Sequence, residues 1–169
     1  MKLLSALLLS SAPVQIWAAS LPLFGQSPIK SLEDTFPVAG ENPLEYCADP
    51  KNDILEIVSV NLTPNPPVPG ENLTIEAEGI FHEPVERGAK IHLQVKYGLI
   101  RLVNVEADLC EEIEGNTELT CPLDGHKKFV KEVEIPKEVP PGKYAVLADV
   151  YTEDKTRITC LQAHDIIFH

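Results

Sequence analysis

The groups in this 169-residue sequence that could do chemistry are four cysteines, five histidines, 26 acidic side chains and, past the first 38 residues, a single serine. That serine, Ser59, sits in the apolar run Ile54 to Leu62, and no G-x-S-x-G elbow presents a nucleophile. His82, His92, His126, His164 and His169 are scattered, and no Cys or His pair has the spacing of a zinc site, so no metal is expected. Gly-rich phosphate loops are also missing. The carboxylates are numerous enough for a glycosidase-type pair. However, Glu76 and Glu78 alternate with apolar residues, and Glu111, Glu112 and Glu114 crowd one acidic stretch, which is the pattern of a solvated surface. The expectation is a chain with no enzymatic centre and no cofactor.

The cysteines carry a different chemistry. Cys47, Cys110, Cys121 and Cys160 are an even set, and in an oxidising compartment such a set argues for two disulfides. Three connectivities are possible. Cys110 and Cys121 flank a short stretch containing the turn-like Gly115-Asn116, and Cys47 and Cys160 lie at the two ends of the region with strand patterns, so 110–121 with 47–160 is the simplest pairing. The long bridge would contribute about 4–5 kcal/mol in the chain-entropy model. Asn61-Leu62-Thr63 and Asn72-Leu73-Thr74 match the N-glycosylation pattern; Pro64 disfavours the first, leaving Asn72 as the better acceptor.

Export is read from the start of the chain. Lys2, the apolar run Leu3 to Leu9 broken only by Ser5, and the small residues Ala18, Ala19 and Ser20 form a signal peptide over 1–19. Residues 20–38, with Pro22, Pro28 and Pro37, fit either a flexible arm or a propeptide. The domain proper is 39–169. No later stretch approaches the ~20 apolar residues of a membrane span. Loss of the leader removes one of the 14 basic residues and leaves 13 against 26 acidic ones, a balance of −13. Such a surface excludes nucleic acid as a partner and disfavours standing attachment to an anionic bilayer. With a pI near 4.8 the charge would largely vanish in an acidic lumen.

The elements that must position these groups are strands. A run over 53–62 is rich in β-branched residues, and the four prolines between Thr63 and Gly70 make a loop. Alternation then places Leu73, Ile75, Ala77 and Phe81 on one face of a strand over 72–81, followed by a turn at Glu83 to Gly88. Ile91, Leu93, Val95 and Tyr97 share a face over 89–99, and the chain stays extended to Cys110. Glu111 to Cys121 reads as an acidic loop. Phe129 and Val133 belong to a strand ending at Ile135. Tyr144, Val146, Ala148 and Val150 share a face over 143–152, and 156–168 forms the last strand. About seven strands with turns at this spacing specify an all-β antiparallel sandwich. The inward faces serve equally as close-packed core or as the wall of a cavity.

In sequence order, several segments together resemble one family. They are Tyr46-Cys47 with the Ile54 to Leu62 strand, the Asn65-Pro66-Pro67-Val68-Pro69-Gly70 loop and the Leu73-Thr74-Ile75-Glu76-Ala77-Glu78-Gly79 strand. The acidic Cys110 to Cys121 segment, the Val139-Pro140-Pro141-Gly142-Lys143-Tyr144 turn and the closing Ile158-Thr159-Cys160-Leu161 strand complete the set. The chain resembles the MD-2-related lipid-recognition family, and within it the fungal phosphatidylglycerol/phosphatidylinositol transfer group related to Niemann–Pick type C2 protein. The resemblance implies a two-sheet immunoglobulin-like sandwich with an apolar cavity between the sheets, bridges Cys47–Cys160 and Cys110–Cys121, and removal of 20–38 as a propeptide. The third, N-terminal disulfide of animal relatives has no counterpart here.

The function expected on that basis is non-enzymatic carriage of a phospholipid between membranes, with sterol as the competing ligand. The cavity wall would then be the inward set named above: Leu73, Ile75, Ala77, Phe81, Ile91, Leu93, Val95, Tyr97, Phe129, Val133, Tyr144, Val146, Ala148 and Val150. A monomer making transient membrane contact, in the secretory pathway and then secreted or held in a vacuole-like lumen, follows from the same reading. The alternative is a secreted β-sandwich interaction module with a filled core.

Overall fold

Alternating apolar and polar residues need a partner sheet to cover the apolar side, and two antiparallel sheets supply it here. The computed structural model describes residues 35–169. The expected signal peptide over 1–19 and nearly all of the 20–38 segment lie outside the described residues. Two short strands come first, β1 (Phe36–Pro37) and β2 (Glu45–Tyr46). Seven longer ones follow: β3 (Leu55–Thr63), β4 (Asn72–Val85), β5 (Lys90–Tyr97), β6 (Ile100–Asp108), β7 (Leu123–Glu134), β8 (Gly142–Tyr151) and β9 (Arg157–Phe168). One sheet has the order β1-β2-β9-β8-β5-β6 and the other β3-β4-β7.

Three boundaries differ from the sequence expectation. The strand expected to begin at Phe129 starts at Leu123, because Lys127 to Glu134 alternate regularly and pair with β4 throughout. β4 runs on to Val85 past a register shift after Phe81, shortening the expected turn. The acidic stretch after Cys110 is not a loop. It forms helix α1 (Leu109–Asn116), which Asp108 caps by accepting from the backbone N–H groups of Cys110 and Glu111 at 3.0 and 3.2 Å. Glu111 and Glu112 sit in its first turn, where carboxylates favour the helix dipole. The acidity that suggested a loop therefore stabilises a helix start. The Cys110–Cys121 disulfide and the Arg87–Glu114 ion pair at 2.6 Å fasten the helix to its surroundings.

The two edges of the sandwich differ. On one, residues 38–47 strap the sheets together. The backbone N–H groups of Val60 and Leu62 on β3 donate to Ala39 and Glu41 at 2.8 and 3.0 Å, while β2 pairs with β9. Gly40 makes this possible. Its φ is +107°, and a Cβ there would meet the Val60 carbonyl oxygen at 2.1 Å. The Cys47–Cys160 disulfide locks the strap. Val38, at the start of the strap, is buried, so the described end of the 20–38 segment packs on the domain. On the other edge, β6 and β7 are the outermost strands of their sheets and no ladder joins them. The sandwich is open there.

At the α1 end, Ile54, Phe81, Val85, Ala89, Leu109, Leu123, Val150 and Ile158 form the core. At the opposite end of β5 and β8, Tyr97 and Tyr144 approach to 5.0 Å between ring centres. Tyr144 also meets Phe168 edge-on at 5.1 Å, and both hydroxyls donate to carbonyls of the Pro140-Pro141 turn.

Candidate functional site

The register generates the site row by row. Across the large sheet, Ala107, Ile91, Val150 and Thr159 are successive inward neighbours, and Val105, Leu93, Ala148 and Leu161 form the next row. Facing them on the small sheet are Leu55 beside Phe81, then Ile57, Gly79 and Lys127, then Val60, Ala77 and Phe129. Between these rows the sheets stand apart around an apolar crevice with one lobe of about 420 Å³ and an adjoining lobe of about 150 Å³. Leu55, Phe81, Ile113, Leu119, Leu123, Phe129 and Thr159 line both lobes. The larger lobe reaches the open edge, where Val105 and Ala107 of β6 face Phe129 and Lys131 of β7, with Glu112, Asn116 and Thr117 of the helix region at one side.

The fourteen inward residues named from sequence divide cleanly. Ala77, Phe81, Ile91, Leu93, Phe129 and Val150 line the crevice. Leu73, Ile75, Val95, Tyr97, Val133, Tyr144 and Val146 share strand faces with them but lie toward the aromatic end, beyond the void. Ala148 sits between Leu93 and Leu161, and its methyl does not reach the lumen. The alternation is the same along each strand, but only part of each inward face meets the void.

Several wall residues were not named from sequence. Leu55 and Val60 stand on a strand that was recognised but not assigned a face. Ile113 and Leu119 belong to the stretch read as loop. Lys127 and Lys131 share the inward parity of Phe129, and lysine is the residue type least expected on such a face. The only available signal was the unbroken alternation from Lys127 to Val133. Lys127 donates to the Asp124 carbonyl at 2.6 Å. Lys131 has no hydrogen-bond or ion-pair partner among the described residues.

Large apolar side chains are exposed on the two edge strands that border the opening. Ile100, Leu102 and Val105 on β6 are 61, 54 and 50 % exposed, Val130 on β7 is 53 % exposed, and Leu99 at the β5–β6 turn is fully exposed. Of the two sequons, Asn72 opens β4 and is exposed, whereas the side-chain oxygen of Asn61 accepts from the Glu41 N–H at 2.8 Å. Both disulfides pair as the resemblance implies, Cys47 with Cys160 and Cys110 with Cys121. Among the described residues no helix is long and apolar enough to cross a membrane, and no cluster of metal-ligating side chains occurs.

Comparison with known proteins agrees with this architecture. The family model described as the ML domain matches residues 41–167. A phosphatidylglycerol/phosphatidylinositol transfer protein of Aspergillus fumigatus is 51 % identical over 172 residues, covering 99 % of this chain and 98 % of the relative. Its namesake in Aspergillus oryzae is 52 % identical over 174 residues at the same coverage. Among solved structures, a Niemann–Pick type C2 protein from the Japanese carpenter ant superposes with a TM-score of 0.50 at 12 % identity, covering 71 % of this chain and 95 % of that one. That likeness concerns the fold.

Proposed function

The chain belongs to the ML-domain family, and on that premise we propose that it is a non-enzymatic carrier that lifts an anionic glycerophospholipid out of one membrane and delivers it to another. One observation carries the reading: a crevice with an apolar wall, open along one edge, that also presents Lys127 and Lys131. A close-packed interaction module has no use for such a void. Acyl chains fill apolar space without hydrogen bonds, at about 0.8 kcal/mol per buried methylene. A phosphate left near the opening meets the Lys131 ammonium, on a protein otherwise dominated by acidic residues. The names of the Aspergillus relatives, phosphatidylglycerol/phosphatidylinositol transfer proteins, support the same ligand class.

The apolar rim of β6 and β7 supports transient contact with a bilayer surface at the opening. A monomer suffices, because the crevice is built within one chain. The two disulfides suit the oxidising secretory pathway, and a secreted or vacuole-like location fits them equally.

The test is transfer between vesicles. Donor vesicles carry labelled phosphatidylglycerol, phosphatidylcholine or sterol, and transfer to acceptor vesicles is followed with and without protein. Phosphatidylglycerol is expected to move fastest. Lys131→Met should lower its transfer roughly fivefold, the equivalent of about 1 kcal/mol for a rim contact to a charged group, and leave phosphatidylcholine unchanged. No transfer of any lipid, and no lipid in an organic extract of the purified protein, would reject the reading.

A further inference from the structure

Thr159 is the one polar side chain built into the waist of the crevice. It stands on β9 opposite Val150 of β8, in the inward row that runs through Ile91 and Ala107. It lines both lobes, among Leu55, Phe81, Leu123 and Phe129. The residue is only 4 % exposed, and among the described residues its Oγ1 is the one buried side-chain polar atom without a hydrogen-bond partner.

A buried hydroxyl left unpaired destabilises the fold that contains it, whereas an apolar group of the same shape does not. Valine has that shape, and strand interiors favour it. The fold gains nothing from the oxygen at this position, so its use must come from something that enters the crevice. Threonine carries its hydroxyl and its methyl on one carbon. A turn of about 120° about χ1, from one staggered well to the next, sets the hydroxyl where the methyl stood and offers the O–H to the lumen.

We propose that the Thr159 hydroxyl is a ligand contact, donating a hydrogen bond to an ester carbonyl of a bound glycerophospholipid. The proposal rests on the carrier reading of the same crevice and deepens it. A lipid whose phosphate lies near Lys131 and whose chains run inward keeps its headgroup hydroxyls outside with the phosphate and presents its two ester carbonyls as the acceptors between headgroup and chains. Lys131 and Thr159 line the same lobe, one on each sheet. The two contacts together would fix how far the lipid enters, which neither the apolar wall nor a single lysine can do. Dispersion and apolar burial favour any depth that covers methylenes; a hydrogen bond favours one.

The experiment compares diester phosphatidylglycerol with its diether analogue of equal chain length. The analogue keeps phosphate, glycerol and chains but lacks both carbonyls. Equilibrium binding is measured for the wild type, Thr159→Val and Thr159→Ser. The wild type should prefer the diester about fivefold, the size of a typical net hydrogen bond. Thr159→Ser should keep that preference. Thr159→Val should bind both lipids at the diether level, and its lipid-free form should melt no lower than the wild type, since the unpaired group is gone. A preference that survives in Thr159→Val, or its absence from the wild type, overturns the proposal while leaving the carrier intact. A lipid-free Thr159→Val that melts far below the wild type overturns it too, because the hydroxyl would then serve the fold. Failure of the wild type to take up either lipid is a different result and rejects the carrier reading itself.

Discussion

If the void between the sheets is where acyl chains reside, filling it from one wall should remove binding without removing the fold. Leu93 is suited to this. It lies on β5 between Val105 and Ala148, and its side chain lines the larger lobe. That lobe, of about 420 Å³, has room for about 14 methylene-sized groups at roughly 30 Å³ each. At about 0.8 kcal/mol per methylene the gross apolar gain is about 11 kcal/mol. Leu93→Trp adds about six heavy atoms and displaces at most a similar number of methylenes, an upper limit of about 5 kcal/mol. The open edge lets the sheets yield, so about half of that is the working expectation, a loss of affinity of about 50-fold. The indole enters existing space, so circular dichroism and melting temperature should stay near those of the wild type. It also reports on itself. The only native tryptophan is Trp17, so in protein produced from residue 20 onward the emission of the variant comes from the crevice and should be blue-shifted. Lipid binding is read by titration with labelled phosphatidylglycerol. A variant that folds normally, emits from a dry environment and still binds within twofold of the wild type would refute the assignment of the void to lipid.

Other perturbations test the frame and its charges. Arg157 donates from Nε to Asp53 at 2.6 Å, and the Asp53 side chain is only 2 % exposed. Burial raises the Asp53 pKa despite the guanidinium beside it. Arg157→Met should therefore cost about 3 kcal/mol at neutral pH by leaving a buried carboxylate alone. The folded pKa lies above the unfolded value near 4, so protonation favours the fold; the deficit should shrink as pH falls into that window, a trend read by urea unfolding at pH 7 and pH 4.5. Asp108 shows the opposite sign. Its bond from the Glu111 N–H, then Lys90, holds its pKa below the usual range, so its contribution is present above about pH 4 and lost as pH falls through the folded value. Asp108→Ala should cost about 1 kcal/mol at neutral pH and nothing once the wild-type carboxyl is protonated, as thermal melts across pH would show. Transfer of phosphatidylglycerol between vesicles should rise as pH drops from 7 toward 5, because the net negative charge that repels an anionic bilayer shrinks as the pH nears the sequence pI of about 4.8; a flat profile would remove electrostatic repulsion as a control on docking.

Much of the fold was legible in the chain. Period-2 alternation marks the long strands, the prolines after Thr63 end one of them, and the even set of cysteines marks two bridges. These are local signals, set by which side of a strand each residue faces and by backbone groups that proline cannot supply. The helix after Asp108 was hidden because capping carboxylates and solvated carboxylates look the same until a backbone N–H points at them. The crevice was hidden for a related reason. Leu93 and Val95, or Ala77 and Ile75, are chemically alike neighbours on one face, yet only the first of each pair meets the void. What separates them is which stretch of the two facing sheets encloses empty space, and that is set far away in sequence. The strap over Gly40 closes one edge, the Tyr97–Tyr144–Phe168 cluster occupies one end, and α1 stands at the other. Alternation determined which side chains point inward. Only the tertiary structure decided where inward is empty, and therefore that Lys131 and Thr159, unremarkable in the sequence, face the same space.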